Sequence, residues 1–160
     1  MASVYATIAN GGVRVDPSLV AATTNANGES VPAEPPGKRR VISTESAREL
    51  SRMLEAVVSE RGTAPKADIP GYRVAGKTGT GERVDPSCGC YRGYNPMFTG
   101  FAPAGDPQLV VQVVLRDPEH GKYGGQVAAP VFSDVMSFAL QTLKIPPTET
   151  KTPKIRLKAA

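Results

Sequence analysis

The sequence of 160 residues contains no tryptophan, one histidine and two cysteines, and only 6% of its residues are aromatic. A structural zinc site needs four ligands, and the only histidine, His120, stands alone in a turn-like segment, so we expect no metal site. No apolar run approaches the ~20 residues that span a bilayer. Residues 1–12 lack the basic start and the cleavage site of a secretory signal. Taken alone, these absences would indicate a globular cytosolic protein.

The positive charge of the chain is concentrated at one end. The formal net charge is +4, yet residues 1–143 contain 14 basic and 14 acidic residues. The excess lies beyond them, and we expect residues 148–160 to form a basic, disordered tail. Because no basic stripe interleaved with aromatic residues precedes this tail, nucleic acid is not expected as a partner.

The segment Tyr72–Thr80 has the pattern of one extended strand. Side chains on a strand alternate between its faces, so Thr78 and Thr80 share a face with Gly76. Two hydroxyls on one face, with Lys77 beside them, make a polar surface where a core strand would have valine or isoleucine. Gly79 leaves room for a close approach to the backbone. The pattern therefore favours a binding strand over a core strand.

Residues 71–78 also satisfy the phosphate-loop pattern Gly-x-x-x-x-Gly-Lys-Thr. That motif requires a strand before its first glycine and a helix that starts at its lysine. Residues 64–70 contain two prolines and no apolar run, and residues 79–86 do not have the pattern of a helix start. Nucleotide binding is therefore the less favoured alternative.

Lys77-Thr78-Gly79 is also the third signature of penicillin-binding proteins and serine β-lactamases. Residues 73–80 resemble the corresponding strand of class B penicillin-binding proteins, which have Gly before the Lys and Thr after the Gly. The similarity covers about residues 1 to 145 in consistent order, and the sequence is identified as a member of this family, closest to its division type. The other segments that resemble the family are a helix end at 5–12, two strands at 97–103 and 109–117, and the start of the last helix at 124–132.

The resemblance implies an α/β (α+β) fold in which an antiparallel sheet is flanked by helices, as in serine β-lactamases and transpeptidases. The family's nucleophile motif Ser-x-x-Lys and its Ser-x-Asn turn are absent here, and both precede the Lys-Thr-Gly strand in the family. We therefore expect residues 1–147 to be the C-terminal portion of a transpeptidase domain. In the family, earlier strands pair with the one resembled by residues 109–116, so a companion chain or longer parent is expected to cover that apolar edge.

The resemblance also implies a reaction, a serine acyl transfer that cross-links D-alanyl-D-alanine stem peptides of peptidoglycan without a cofactor. The binding residues would be Lys77, Thr78, Gly79 and Thr80, with Lys77 and Thr80 catalytic. Lys77 would lie near the missing Ser-x-Asn serine and near the substrate carboxylate, which the hydroxyls of Thr78 and Thr80 would bind. The N–H of Thr80 would be one oxyanion donor, and the main chain of residues 78–80 would hold the substrate as an added strand.

The same resemblance implies where the parent acts and with what. It would lie at the extracytoplasmic face of the bacterial membrane, with stem peptides and β-lactams as ligands and division proteins as further partners. A non-catalytic penicillin sensor of the same fold is the alternative in another functional class.

Periodicity predicts the elements around the central strand. Ser43 and Thr44 are capping residues for a helix that ends at Arg61 and Gly62. Its apolar stripe is expected to be core packing and contains Ala47, Leu50, Met53, Leu54, Val57 and Val58. The other predicted elements are a helix at 2–10, short strands at 13–15, 19–21 and 41–42, and a loop at 85–96.

Two further expectations concern the last helix and the cysteines. Pro130 suits a helix N-terminus, and the residues expected to face the sheet are Val131, Val135, Phe138 and Leu143. The sequence leaves three alternatives for the state of Cys88 and Cys90. They form a small disulfide ring, they are free thiols or, least favoured, they bind a metal.

Overall fold

The computed structural model describes residues 1–148 of the chain. Its elements follow in the predicted order of helix, small hairpin region, helix, three antiparallel strands and helix. Of the predicted tail, all but Thr148 lies outside the described residues. Within residues 1–148 no helix is both long and apolar enough to cross a bilayer. The bounds are α1 Ala2–Ala9, β1 Val13–Val15, β2 Ala22–Thr24, β3 Ser30–Pro32, β4 Lys38–Arg40, α2 Thr44–Val58, β5 Ala75–Asp85, β6 Cys90–Ala102, β7 Leu109–Val114 and α3 Gly124–Thr142.

The three long strands form one antiparallel sheet in the order β5-β6-β7. The pairing of β5 with β6 is regular from Ala75 opposite Phe101 to Glu82 opposite Tyr94. A bulge then shifts the register before Val84 pairs with Tyr91. Within the described residues β5 and β7 are the two edges of this sheet. The outer side of β7, for which a partner was expected from a companion chain or a longer parent, is therefore unpaired in residues 1–148.

One face of the sheet packs against α3. Phe98 of β6 and Phe132 of α3 meet edge to face, with ring centroids 4.7 Å apart. Both rings are fully buried, as are Met136 and Leu140 further along the helix. Burying a side chain of this size stabilises a fold by about 1.5–3 kcal/mol, so this layer is the main core.

The opposite face of the sheet packs against α1 and α2. Phe101 lies opposite Ala75 across the strands, and both form a buried cluster with Tyr5 of α1. Leu54 of α2 packs at the margin of this cluster. Burial raises the pKa of the Tyr5 phenol because it disfavours the charged phenolate. The sheet is thus a middle layer between two layers of helices.

Two of the short strands lie elsewhere than predicted. The strand predicted at residues 19–21 lies at 22–24, and the one predicted at 41–42 lies at 38–40. The turn after β2 explains the first shift, because the Asn25 side chain accepts hydrogen bonds from the N–H groups of Asn27 and Glu29. This turn sets the register of β2 against β3, and the apolar residues before it remain exposed.

The loop predicted at residues 85–96 is mostly strand. β6 begins at Cys90, so only a short turn separates it from β5, and a disulfide joins Cys88 to Cys90. The Asp85 carboxylate accepts hydrogen bonds from the hydroxyl and the N–H of Ser87, at 2.7 and 3.0 Å. These bonds hold the pKa of Asp85 below its ordinary value. Local polar contacts and the disulfide therefore close the hairpin, and the choice among the three cysteine alternatives falls on the disulfide.

The predicted face of α3 is wrong, as is the place of Pro130 at its N-terminus, whereas the helix start expected at 124–132 is confirmed. The helix begins at Gly124, which places Pro130 inside it, and the four residues expected to face the sheet are 40–71% exposed. The buried positions are instead those of Ala128, Phe132, Met136 and Leu140. Apolar residues occur on both sides of this helix, so periodicity alone does not decide which side faces the sheet.

The capping of α2 is confirmed at Ser43, whose hydroxyl accepts the N–H of Ser46 at 3.0 Å. The helix ends at Val58, three residues before the predicted end. Its apolar stripe is only partly core, since Ala47 and Val58 are buried while Leu50 and Met53 are exposed. The expectation that the whole stripe packs in the core is therefore wrong for these two residues.

The two phenylalanines of α3 provide a test of the helix orientation. Phe132→Ala should lower the free energy of unfolding of the 160-residue chain by about 3–5 kcal/mol, because it empties a buried ring site. Phe138→Ala, at a position 71% exposed, should change it by less than about 0.5 kcal/mol. Urea unfolding followed by circular dichroism measures both. A larger loss for Phe138→Ala would contradict the orientation of α3.

The disulfide provides a second test, on protein that has never met a reductant. Alkylation before reduction should add no label to Cys88 or Cys90, because both sulfurs are already bonded. Alkylation after reduction should label both residues, which intact-mass measurement detects. Two labels in the unreduced sample would show that the cysteines are free.

Candidate functional site

The four predicted site residues lie together in the middle of β5, at the outer edge of the sheet. Lys77 and Thr80 are exposed, and Thr78 and Gly79 are half-buried. The inner side of the strand is paired with β6, where Lys77 stands opposite Thr99 and Thr80 opposite Pro96. Within residues 1–148 no strand pairs with the outer side, so this edge is free to bind an extended ligand.

The strand directs its polar side chains to two sides. Thr78 lies across from Phe98 and so shares the sheet face that packs on α3. Lys77 alternates with it and shares the face of Ala75, which packs on α1. The cation and the hydroxyl groups therefore approach the free edge from opposite faces of one strand.

The Lys77 ammonium folds back onto its neighbour. Its Nζ donates to the Thr78 hydroxyl at 3.0 Å and to the Thr78 carbonyl at 3.3 Å. Thr63, which precedes the strand, places its hydroxyl 3.4 Å from that of Thr78. The sequence analysis missed Thr63, since a lone threonine in the segment between α2 and β5 carries no pattern that connects it to the site strand.

The N-terminus of α3 touches the site strand through two glycines that the sequence analysis treated only as a helix start. A Cβ on Gly124 would lie 2.1 Å from the Met97 carbonyl oxygen and 2.8 Å from that of Gly79. A Cβ on Gly125 would lie 2.0 Å from the Thr63 carbonyl oxygen. Only glycine permits this approach of the helix to the strand. The sequence signal that could have revealed this contact was a pair of glycines at a helix start, where a Ser, Thr or Asp cap is usual.

Two ion pairs fix the ends of the site strand. Before it, the Arg73 guanidinium donates to both carboxylate oxygens of Glu55 in α2, at 2.8 and 2.7 Å, and Glu55 is only 3% exposed. Beyond it, Arg83 lies 3.0 Å from Asp117 in the segment that follows β7. Residues 77–80 therefore lie on a strand that is held on both sides of the site.

The structure decides against the phosphate-loop alternative. That motif requires a helix after Lys77, whereas the strand continues to Asp85.

His120 lies exposed in an irregular segment, as expected. Within the described residues no group of three or more histidine, cysteine, aspartate or glutamate side chains is arranged to hold a metal ion. The arrangement thus offers a cation, hydroxyls and main-chain groups at a strand edge.

Comparison with known proteins identifies the family of the chain. A family model described as the penicillin-binding protein transpeptidase domain matches residues 1–137. The penicillin-binding protein PbpB of Mycolicibacterium smegmatis is 39% identical over 169 residues, which cover 99% of this chain and 26% of that protein. The peptidoglycan D,D-transpeptidase FtsI of Escherichia coli is 37% identical over 153 residues, covering 95% of this chain and 24% of that protein. The chain therefore spans about a quarter of the length of these relatives.

The fold agrees with this result. A solved structure of penicillin-binding protein 3 from Mycobacterium tuberculosis, complexed with ampicillin, has a TM-score of 0.89 and 35% identity over 99% of this chain and 37% of that one. The helix and sheet layers described above are accordingly those of the serine β-lactamase and transpeptidase fold. The chain belongs to the family of penicillin-binding protein transpeptidase domains.

Proposed function

We propose that this chain forms one wall of the acyl-transfer site of a D,D-transpeptidase that cross-links D-alanyl-D-alanine stem peptides of peptidoglycan. The observation that carries the proposal is the position of Lys77, Thr78 and Thr80 on a strand whose outer edge pairs with no other strand of residues 1–148. The names of the relatives, which include a peptidoglycan D,D-transpeptidase, support the same reaction. The ampicillin complex of a similar protein supports β-lactams as a second class of ligand.

The substrate carboxylate would bind at the hydroxyls of Thr78 and Thr80, with the ammonium of Lys77 beside it. Hydrogen bonds that involve a charged partner are worth about 1.5–3 kcal/mol each, so this group of donors is sufficient to orient a terminal carboxylate. The bond from Lys77 Nζ to the Thr78 hydroxyl, 3.0 Å long, supports the proposal that the two groups bind the same ligand oxygen.

The main chain of β5 would supply the remaining contacts. A stem peptide bound along the free edge would pair with residues 78–80 as an added strand. The N–H of Thr80 would then donate to the oxyanion that forms when the substrate carbonyl is attacked. The second oxyanion donor and the attacking serine would come from the rest of the parent protein, since this sequence contains no Ser-x-x-Lys or Ser-x-Asn.

The rest of the parent would also complete the fold. β7 is half-buried and strongly apolar, yet it has no partner on its outer side within the described residues. Val135 and Phe138 of α3 are 46% and 71% exposed. We propose that residues 1–147 are the C-terminal portion of the transpeptidase domain and that the upstream portion covers these surfaces. The predicted tail lies almost wholly outside the described residues and stays an expectation.

The parent would act where peptidoglycan is assembled, at the extracytoplasmic face of the bacterial membrane, with division proteins as further partners. A non-catalytic penicillin sensor with the same strand remains the second candidate. The two differ in one measurable respect, since only the transpeptidase would join two stem peptides. Cross-linking of a synthetic stem-peptide substrate by the parent decides between them.

Substitutions in the site strand test the assignment of roles in the complete parent. Lys77→Ala should slow acylation by a fluorescent penicillin severely, because it removes the positive charge at the carboxylate site. Thr78→Val and Thr80→Val should each slow acylation by about ten- to a hundredfold, because each removes one hydrogen bond from a hydroxyl to the charged carboxylate. A time course of gel labelling measures all three, with the unaltered parent as reference. Labelling of Lys77→Ala at the rate of the parent would remove β5 from the site.

The glycine contact beneath the strand gives a separate prediction. Gly124→Ala should slow penicillin labelling by up to about a hundredfold, because a side chain there displaces the helix from the site strand, and a shift of about 1 Å can cost that much. The matched control is Gly105→Ala, where the nearest atom to the added Cβ would be 3.6 Å away. Gly105→Ala should label at the rate of the parent. Equal rates for both variants would show that the contact does not position the site.

A further inference from the structure

A basic groove lies on the side of the molecule bounded by the end of α1, by α2 and by the segment after β6. Its volume is about 310 Å³, and its charged lining residues are Arg48, Arg52, Glu55 and Arg73. None of the residues that line it belongs to the site strand segment 77–80. The groove is therefore a feature separate from the proposed transpeptidase site.

The charges in the groove are unequally satisfied. Glu55 and Arg73 neutralise each other through their two-bonded ion pair. Arg48 and Arg52 are exposed, and neither forms an ion pair with another described residue, although Glu45 and Glu49 each precede one of them by three positions. Like charges four residues apart on a helix destabilise it by about 0.2–0.5 kcal/mol. Among residues 1–148, the groove thus carries two guanidinium groups on one helix face that have no carboxylate partner.

A third guanidinium lies at the end of this groove. Arg40 donates through one nitrogen to the carbonyl oxygens of Gly11 and Ile42, at 3.0 and 3.1 Å, and to the hydroxyl of Thr44 at 3.3 Å. All three acceptors are neutral, and Gly11 and Thr44 belong to the residues that line the groove. The positive charge therefore extends along the groove from its end to the middle of α2.

We propose that the basic groove binds an acidic peptide segment of a partner protein. Arg48 and Arg52 are four residues apart on α2, which is a rise of about 6 Å. Two carboxylates at alternate positions of an extended peptide lie about 6.6 Å apart on one side, which matches this spacing. Each guanidinium presents a fork of donors that fits one carboxylate.

The shape and lining of the groove favour a peptide over a phosphate polymer or an anionic membrane. Its walls include the apolar residues Ile8, Ala9, Ala47 and Pro107, which suit aliphatic side chains between the acidic ones. A flat lipid surface cannot enter a concavity between a helix end and a loop. Phosphate chains offer no apolar groups for these walls. The combination of two cations and an apolar wall is that of a peptide site.

The test uses the full-length parent protein and a fluorescein-labelled oligoglutamate peptide, with binding followed by fluorescence anisotropy at low ionic strength. Arg48→Gln combined with Arg52→Gln should raise the Kd by about tenfold or more, since it removes both forks. The matched control combines Arg61→Gln with Arg116→Gln, which removes the same charge from exposed arginines outside the groove. This control should change the Kd by less than about twofold if the groove is the site.

Each outcome decides the proposal. Loss of binding in the groove variant alone supports it, and penicillin labelling at the parental rate in both variants shows that the fold and the transpeptidase site are intact. Equal losses in the two variants, or no binding by the unaltered parent, overturn it. Polyphosphate or vesicles of phosphatidylglycerol that bind in a groove-dependent manner while oligoglutamate does not would overturn it in favour of a phosphate ligand. Failure of labelling in the unaltered parent would instead count against the proposed function alone.

Discussion

The ion pair between Arg73 and Glu55 is the constraint on which the arrangement of the site strand, β5, depends. Glu55 is 3% exposed, and a carboxylate buried to this degree is tolerated only when its oxygens are bonded, as they are here by two guanidinium nitrogens. The carbonyl of Arg73 in turn accepts the N–H of Ala104 at 2.8 Å. One residue thus joins α2, the approach to β5 and the segment after β6. Loss of one partner of such a pair costs about 3–5 kcal/mol.

The site strand combines two requirements that usually conflict. In the proposed function its outer edge takes a ligand, whereas a free edge is normally prone to pair with other chains. Here its inner side is paired over residues 75–82, and two glycines let α3 pack directly against it. The side chains at this edge are those of Lys77, which is charged, and of Thr78 and Thr80, which are small and polar. The edge is therefore well supported and polar, in contrast to the apolar β7.

Sequence reasoning succeeded where one local pattern decided the structure. Alternation and polarity identified a strand at the site, although it lies at Ala75–Asp85 rather than at 72–80. The cap of α2 was identified from Ser43, because its signal lies within a few residues. It failed where two patterns were equally good. α3 has apolar residues on both sides, and the buried side is the one on which Phe132 meets Phe98, a residue distant in sequence. Thr63 was missed for the same reason, since only folding brings its hydroxyl to Thr78.

The bulge between Glu82 and Val84 divides the long hairpin into two parts that can vary separately. Side chains of a strand change faces when the register slips by one residue, so a length change within regular pairing would turn Lys77 and Thr78 to the wrong faces. The pairing of residues 75–82 is complete before the bulge, and the tip beyond it is closed by its own disulfide and by the Asp85 contacts. Insertions or deletions at the tip can therefore accumulate in homologous chains without changing the register of the site.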